Sequence, residues 1–242
     1  MRKGEGALLP LVLFLIYVFD FDRTSFFIHA LVGFVALALM YALNDIHDAP
    51  FDLHDEVRKS AWVEALAQKQ KVAYIIHALQ LAFFIGVLIF YLKMTPLIVA
   101  AAFTISTAYN LWGKKIRFLG DILVLFWGPT FTLLLSVKIP IFLVANTGFM
   151  LLMGHTFQMA RDSHADAKND IRTTWVVAPR WAVVIFYIIC IAAQLCFAFG
   201  GFYAAAFAVT SFYLVPLFGG YTQKSWLILK FLQASSWLLI LV

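Results

Sequence analysis

Charged residues are scarce in this 242-residue chain. Only 13% of the residues are Asp, Glu, Lys or Arg, and 63% are hydrophobic. A soluble domain has about 25% charged and about 45–50% apolar residues, so the composition excludes a soluble globular enzyme and a disordered protein. Cysteine is also rare: Cys190 and Cys196 lie six positions apart in one apolar stretch, a spacing that fits neither a metal site nor a disulfide scaffold. The chain is therefore predicted to be an integral membrane protein.

Nine apolar stretches have helical length, and a bilayer crossing needs roughly 20 residues. They cover 7–19, 24–43, 72–92, 95–112, 121–137, 139–160, 180–199, 201–218 and 225–242. The first stretch ends at Asp20, Asp22 and Arg23, and with Arg2 and Lys3 before it, it also resembles a signal peptide. No small-residue cleavage site follows it, so we interpret it as a short first span, with the signal peptide as the alternative. None shows the alternation of a barrel strand. We therefore predict an all-α polytopic membrane protein, with about nine transmembrane helices bundled around a central cavity.

Basic residues are distributed unevenly between the two sides of this bundle. If the N-terminus lies inside, the inner segments hold 15 of the 18 Lys and Arg, Lys230 among them, and ten of the 13 acids. This bias predicts that the N-terminus and the acidic segments lie on the cytoplasmic side. The spans hold almost no ionisable residue besides His29, His77 and His155. Because ion-coupled carriers place acids or bases at mid-membrane, the pattern favours chemistry at the cytoplasmic mouth over transport.

Two polar triplets stand at the ends of the second and sixth stretches. Their members are four residues apart within each triplet and 118 residues apart between triplets: Asn44, Asp48, Asp52, Asp162, Asp166 and Asp170. Four-residue steps place side chains on one helix face, where a cation would relieve the repulsion between like charges. Mg²⁺ takes one or two carboxylates and leaves its other positions to water and phosphate. The triplets therefore indicate a site that binds a diphosphate through metal ions, although we expect Pro50 to break the helix between Asp48 and Asp52.

These triplets and one further loop resemble the motifs of the UbiA superfamily of intramembrane prenyltransferases. The segments are Asn44-Asp45-x-x-Asp48-x-x-x-Asp52, similar to the first aspartate-rich motif, Asp162-x-x-x-Asp166, similar to the second, and Tyr109 to Lys115, similar to a conserved Tyr-and-Lys loop. The resemblance covers almost the whole chain. It implies one transmembrane domain over 1–242, with a lateral opening toward lipid.

The resemblance also implies an activity. Such enzymes transfer a prenyl group from a polyprenyl diphosphate to a lipophilic, often aromatic, acceptor in the membrane, with two Mg²⁺ ions bridging the acidic motifs. Nucleic acid has no part in this chemistry. The implied metal ligands are Asn44, Asp48, Asp52, Asp162, Asp166 and Asp170. The implied diphosphate-binding residues are Arg58, Lys59, Tyr109, Lys114, Lys115, Lys168 and Arg172. The implied catalytic residues are Asp45, Arg58 and Lys114, and His155 and Gln158 are candidates for contact with the acceptor.

Alternatives inside and outside the superfamily stay open. A UbiA-type terpene cyclase or a polyprenyl-phosphate phosphoribosyltransferase fits the same motifs, and a lipid or cation carrier is a distant alternative. A CDP-alcohol phosphotransferase would need a DGxxAR segment, and a membrane desaturase would need clustered histidines; the sequence has neither. The chain lacks the arginine- and proline-containing segment that often follows the first motif, and Asp170 stands where a glycine is common. These departures leave the acceptor open.

Overall fold

The fold is built from helices. The computed structural model describes residues 8–53, 60–113, 115–116, 118–168 and 171–241. In chain order the α-helices are α1 (Leu8–Phe19), α2 (Arg23–Asp52), α3 (Ala61–Gln68), α4 (Gln70–Gly86), α5 (Pro96–Ala108), α6 (Leu119–Leu135), α7 (Ile141–Lys168), α8 (Thr174–Val177), α9 (Pro179–Phe199), α10 (Tyr203–Ala208), α11 (Leu214–Gly219) and α12 (Gln223–Leu238). Turns of π-helix extend α4 at Val87–Tyr91 and α5 at Tyr109–Gly113, and 3₁₀ turns cover Val209–Tyr213 and Leu239–Leu241. The predicted all-α class is confirmed.

Large apolar side chains cover much of the outer surface. Phe83 is 75% exposed and Phe207 is 78% exposed, and soluble monomers rarely expose extended apolar patches. Each of the nine predicted stretches coincides with an apolar helix in the described part of the chain. Within the described ranges, four segments are long and apolar enough for a full crossing: Arg23–Asp52, Gln70–Tyr91, Ile141–His164 and Pro179–Phe199. The helices therefore suit a membrane, while the count of nine crossings stays a prediction.

The two longest helices, α2 and α7, start at the same end of the bundle. The Asp22 side chain caps α2 by accepting a hydrogen bond from the Ser25 backbone N–H. Nearby, Asp20 accepts a 2.7 Å hydrogen bond from the Ser136 hydroxyl and another from the Lys138 ammonium, just before α7 begins. Burial acts to raise the pKa of the Asp20 carboxyl, but the hydrogen bonds from Lys138 and Ser136 hold the pKa below its ordinary value. A charged Asp20 therefore ties the starts of two parallel helices together.

Parallel α2 and α7 bring the acidic triplets to the same depth. The helices have 30 and 28 residues, or about 45 and 42 Å, against a hydrocarbon core about 30 Å thick. Asp48 lies 25 residues past the start of α2, and Asp166 lies 25 residues past the start of α7. Both acids therefore stand about 37 Å along their helices from the tied end, beyond the thickness of the core.

The prediction of a helix break at Pro50 is wrong. Helix α2 continues through Pro50 to Asp52, so the acids also belong to a helix rather than to the loop after it. Proline has no backbone N–H and leaves the carbonyl four residues earlier without its helical donor. That carbonyl belongs to Ile46, and the Gln70 side-chain amide of α4 donates to it at 2.9 Å. A donor 24 residues away along the chain therefore compensates for the proline.

Helices α6 and α7 pack backbone to backbone at two glycines. A Cβ added at Gly148 would lie 2.1 Å from the Leu125 carbonyl oxygen, and one added at Gly128 would lie 2.8 Å from the Gly148 backbone nitrogen. The Thr132 and Thr147 hydroxyls form a 3.1 Å hydrogen bond across the same interface. Small residues allow such close approach between membrane helices. This contact fixes α7, which carries the second acidic motif, against the core.

The close α6–α7 contact predicts that adding one methyl group at Gly148 destabilises the protein. Gly148→Ala should lower the free energy of unfolding by about 1–3 kcal/mol, because the Cβ overpacks a backbone that has no space for it. Gly86→Ala is the matched control, since nothing lies within 4 Å of a Cβ added there. Thermal unfolding in detergent measures both. Equal midpoints for the two variants would contradict the close packing.

The Gln70 hydrogen bond predicts a coupling between two helices. Gln70→Met should lower the free energy of unfolding by about 1 kcal/mol, because the Ile46 carbonyl loses its donor. In a Pro50→Ala background the same change should cost much less, since the alanine supplies a backbone N–H to that carbonyl. Denaturant titrations of the four proteins in the double-mutant cycle measure the difference. An equal loss in both backgrounds would show that the amide does not compensate for the proline.

Candidate functional site

A cavity of about 130 Å³ lies between α2 and α7 and is completed by α1, α5, α6 and α12. Its polar lining consists of Tyr41, Asn44, Ser106, Tyr109, Asn110, His155, Gln158 and Lys230. Its apolar lining includes Met40, Val124, Trp127, Leu151 and Trp226. The predicted ligand Asn44, the predicted diphosphate residue Tyr109 and both acceptor candidates of α7 therefore share one cavity.

On the α2 wall, the first motif presents one face toward this cavity. Asn44 lines the cavity, and its side-chain amide donates a 3.1 Å hydrogen bond to Asp48 one turn further along. Asn44, Asp48 and Asp52 are all partly buried, whereas Asp45 is exposed. The four-residue spacing therefore groups the three predicted metal ligands, while Asp45 lies on a different face. A catalytic role for Asp45 stays a prediction.

On the α7 wall, the second motif is paired with an arginine. Arg161 Nε donates to Asp162 Oδ1 at 2.7 Å, and its Nη2 donates to Asp162 Oδ2 at 2.9 Å. Its remaining amino group donates to Gln223 Oε1 of α12 at 3.0 Å. Asp166, one turn beyond Asp162, is partly buried. Arg161 therefore belongs to the site although the motif pattern did not include it, and its position beside the first Asp of the motif was the available signal.

The acidic side chains among the described residues supply the oxygen ligands that Mg²⁺ prefers. Asp48, Asp52, Asp162 and Asp166 are hard oxygen donors, and Asn44 adds an amide oxygen. Among the described residues, no three His, Cys, Asp or Glu side chains come together as a ready-made metal site. Mg²⁺ usually takes one or two carboxylates and completes its shell with water and phosphate. Two small acidic groups on facing helices therefore fit an ion that arrives with a diphosphate.

The π-helical end of α5 turns two polar side chains into the cavity. Single π turns are frequent at functional sites. Tyr109 packs edge-on against His155, with ring centroids 5.7 Å apart. Asn110 is buried, and its Nδ2 donates to the Ser106 carbonyl at 3.0 Å. Its Oδ1 is buried without a hydrogen-bond partner among the described residues, so this acceptor atom is suited to a ligand hydroxyl. The sequence analysis did not include Asn110, which directly follows Tyr109.

Three of the other predicted diphosphate residues fall within the described part of the chain. Lys115, Lys168 and Arg172 are exposed side chains, and they do not line the cavity. Four further predicted residues lie outside the described part of the chain: Arg58, Lys59, Lys114 and Asp170. Their predicted roles stay predictions.

Lys230 is the main site residue that the sequence analysis missed. The charge distribution assigned it to an inner loop, but it lies in α12, inside the ninth apolar stretch, and lines the cavity. Its ammonium stands 5.9 Å from the Trp226 ring centre. A lysine inside an apolar stretch of spanning length was the signal that should have separated it from the loop lysines.

A second, mostly apolar cavity of about 370 Å³ adjoins the first. Both cavities share Leu8, Leu151 and Lys230 in their linings. The larger cavity lies between α1, α7 and α12, and most of its lining is hydrocarbon. The site therefore joins a cavity with several polar side chains in its lining to a more apolar cavity beside α1 and α12.

A buried hydrogen bond fixes the segment that follows the second motif. The Thr174 hydroxyl of α8 donates to Asp121 Oδ2 at the start of α6. Asp121 Oδ1 is buried without a partner in the described ranges, so the carboxyl depends on Thr174. This contact connects the second motif to the helix that follows the Tyr109 turn.

Thr174→Val should therefore lower the free energy of unfolding by about 1–3 kcal/mol, because a buried carboxyl loses its donor. Thr173→Val is the matched control: the Thr173 hydroxyl is also buried and makes no hydrogen bond within the described residues. Thermal unfolding of both variants in detergent measures the difference. Equal unfolding midpoints for the two valine variants would show that the Thr174–Asp121 hydrogen bond does not stabilise the fold.

Comparison with known proteins agrees with this architecture. The sequence profile of the UbiA prenyltransferase family matches residues 7–238. The structure is similar to that of a UbiA homolog from Aeropyrum pernix K1, solved in its apo form, with a TM-score of 0.69 and 18% identity over 98% of this chain and 97% of that one. At this identity the likeness shows the fold alone. No functionally curated protein matches significantly. The profile match identifies this chain as a member of the UbiA prenyltransferase family, integral membrane proteins that transfer a prenyl group to a lipophilic acceptor.

Proposed function

We propose that this protein transfers a prenyl group from a polyprenyl diphosphate to an aromatic acceptor in a Mg²⁺-dependent reaction. One observation carries the proposal. Parallel helices α2 and α7 hold Asp48 and Asp166 at the same distance from their tied starts, and the same two helices line one cavity with Asn44 and Gln158. A diphosphate with its metal ions needs anionic groups on both sides, and this arrangement supplies them.

The diphosphate is held at the acidic end of the cavity. Asn44, Asp48 and Asp52 would hold one Mg²⁺, and Asp162 and Asp166 would hold a second, with Asp170 as a further ligand. Bound there, Mg²⁺ would neutralise the diphosphate charge and make it a better leaving group. Arg161 donates a hydrogen bond to Asp162 of the second motif, and its planar guanidinium suits the oxygens of a phosphate. With Asp162 serving as a metal ligand, Arg161 would exchange its contact with Asp162 for one with the diphosphate.

The prenyl chain extends from the diphosphate into the bundle. The apolar cavity between α1, α7 and α12 gives it a hydrocarbon environment. The allylic C1–O bond breaks, and its electron pair leaves with the diphosphate. The acceptor ring donates an electron pair to C1, a new C–C bond forms, and the ring proton passes to water or to the departing diphosphate. Faces of Trp127 and Tyr109 in the lining stabilise positive charge on the prenyl carbon.

The cavity with the more polar lining supports an acceptor that carries a hydroxyl group. Asn110 Oδ1 is buried and without a partner among the described residues. A ligand that donates a hydrogen bond to such an atom gains binding free energy, because it satisfies a buried acceptor. A phenolic hydroxyl supplies that donor and also activates the ring for attack on the prenyl carbon. His155 and Gln158 provide further polar contacts on the α7 wall.

The membrane orientation follows from the charges. With nine crossings and the N-terminus inside, 14 of the 18 basic residues would fall on the cytoplasmic side once Lys230 is placed in α12, in agreement with the positive-inside rule. The acidic motifs then open to the cytoplasm, where Mg²⁺ and water-soluble diphosphate headgroups are accessible.

Release of inorganic diphosphate tests the proposal. Purified protein given geranylgeranyl diphosphate, Mg²⁺ and a phenolic acceptor should release diphosphate and form a product whose mass equals acceptor plus prenyl minus one proton. Asp48→Asn or Asp166→Asn should each lower the rate by about a hundredfold or more, because the charge stabilisation of the leaving group is lost. Mass spectrometry separates this product from a cyclised hydrocarbon.

Glu64→Gln is the matched control, because it removes a carboxylate near the start of α3, outside the cavity lining. It should keep the wild-type rate. Full activity in either motif variant, or a loss as large in the control, would contradict the assignment.

A further inference from the structure

Gln223, the first residue of α12, contacts the second acidic motif from another helix. Its side-chain oxygen Oε1 accepts a 3.0 Å hydrogen bond from Nη1 of Arg161 on α7. Nε and Nη2 of the same guanidinium donate to the two carboxylate oxygens of Asp162 at 2.7 and 2.9 Å. Arg161 is therefore held from two helices, and its contact with α12 does not involve a predicted metal ligand.

The position of the guanidinium depends on more than its neighbour in the sequence. Adjacent residues on a helix point in directions about 100° apart and do not face each other, so the Arg161 side chain has to bend to reach the Asp162 carboxylate. The side chain is 34% exposed, and holding a long side chain in one position costs conformational entropy. A partner on a second helix restrains the guanidinium from a different direction.

The start of α12 is fixed by packing that does not involve the Gln223 side chain. Two residues earlier, the Tyr221 ring packs against Phe157 of α7, with ring centroids 4.7 Å apart, and against Trp175 of α8 at 4.5 Å. Gln223 itself is exposed. It therefore offers Arg161 a fixed partner, and a change of its side chain should leave the fold intact.

Metal binding by the second motif would change the partners of Arg161. In the proposed function Asp162 serves as a Mg²⁺ ligand, and its oxygens then give up their contact with the guanidinium. The hydrogen bond to Gln223 can persist through that exchange, because the amide oxygen belongs to neither motif. Arg161 would then stay beside the second motif at the stage when a diphosphate binds there.

An amide at position 223 suits this task better than a charged group. An amide oxygen accepts a hydrogen bond from a guanidinium and leaves its positive charge in place. A carboxylate would form a charge-assisted pair with Arg161 and would compete with the diphosphate for it. The neutral side chain of Gln223 therefore restrains the cation while keeping it available for an anion.

We propose that Gln223 is a positioning residue whose amide oxygen holds Arg161 in the orientation that binds the diphosphate. The inference rests on the proposed function and adds a residue of α12 to the diphosphate end of the site. Gln223 acts through Arg161 and needs no contact with the substrate. Helix α12 thus serves the site twice, since Trp226, one turn further along, lines the cavity.

Binding without turnover tests this role. The full-length protein in detergent is titrated by calorimetry with a non-reactive prenyl thiodiphosphate in the presence of Mg²⁺. Gln223→Met keeps the length of the side chain and removes the acceptor, so it should weaken binding about fivefold, as expected for one lost hydrogen bond. In an Arg161→Met background the same change should have no effect. Unchanged affinity in Gln223→Met, or equal weakening in both backgrounds, would overturn the proposal.

Gln223→Glu separates positioning from a structural role. A carboxylate in the first turn of α12 suits the helix dipole and pairs with Arg161, so the thermal unfolding midpoint of the ligand-free protein should stay level or rise. Affinity for the analogue should nevertheless fall about tenfold, because the carboxylate competes for the guanidinium and repels the diphosphate. A midpoint that falls together with the affinity would assign Gln223 a structural role and overturn the proposal.

Lys224→Gln is the matched control, because it also lowers the charge of the first turn of α12 by one unit, at an exposed neighbouring residue. It should bind the analogue within about twofold of the wild-type affinity, since solvent and salt screen an exposed charge. A loss as large as that of Gln223→Glu would show that the charge of the turn decides the affinity and that the contact with Arg161 does not.

The same preparations separate this inference from the proposed function. If the wild type binds the analogue and releases diphosphate from geranylgeranyl diphosphate, while Gln223→Met binds the analogue equally well, the proposed function stands and the positioning role fails. If the wild type neither binds the analogue with Mg²⁺ nor releases diphosphate, both fail.

Discussion

The parallel register of α2 and α7 is the constraint on which the site depends. The hydrogen bonds of Asp20 with Ser136 and Lys138 tie the two helix starts, and the helices are nearly equal in length. Residues 118 positions apart in the sequence therefore reach the same depth. A shift of one helix by a single turn would move one acidic motif by about 5.4 Å and separate the two halves of the proposed diphosphate site.

Packing around these helices determines what the cavity contains. The glycine contact between α6 and α7 holds the second motif against the core, and the π turn after α5 directs Tyr109 and Asn110 inward. Amides and aromatic rings line the cavity, the acids of the two motifs lie further along α2 and α7 than Asn44 and Gln158, and Lys230 lines both cavities. This order along one axis matches the parts of a prenyl transfer: an anionic leaving group, a cationic carbon and an acceptor.

Sequence patterns predicted the class, the helices and the two motifs, because hydrophobic length and four-residue spacing are local properties. Features that depend on distant partners could not be predicted in this way. Pro50 does not end α2, because Gln70 supplies the missing donor from another helix. Lys230 was counted with the loop residues although it lies inside an apolar stretch, and its position against Gly154 of α7 is a tertiary contact that the sequence pattern does not encode. The pairing of Arg161 with Asp162 is local, yet the motif pattern does not encode it.

The central claim is that both acidic motifs bind one metal–diphosphate together. Electron paramagnetic resonance of Mn²⁺, added to the purified protein with a non-reactive prenyl thiodiphosphate, tests it most directly. The account predicts tight Mn²⁺ binding that requires the analogue and is lost in Asp48→Asn and equally in Asp166→Asn. Mn²⁺ binding that is as tight without the analogue, or that persists when either motif is neutralised, would contradict it.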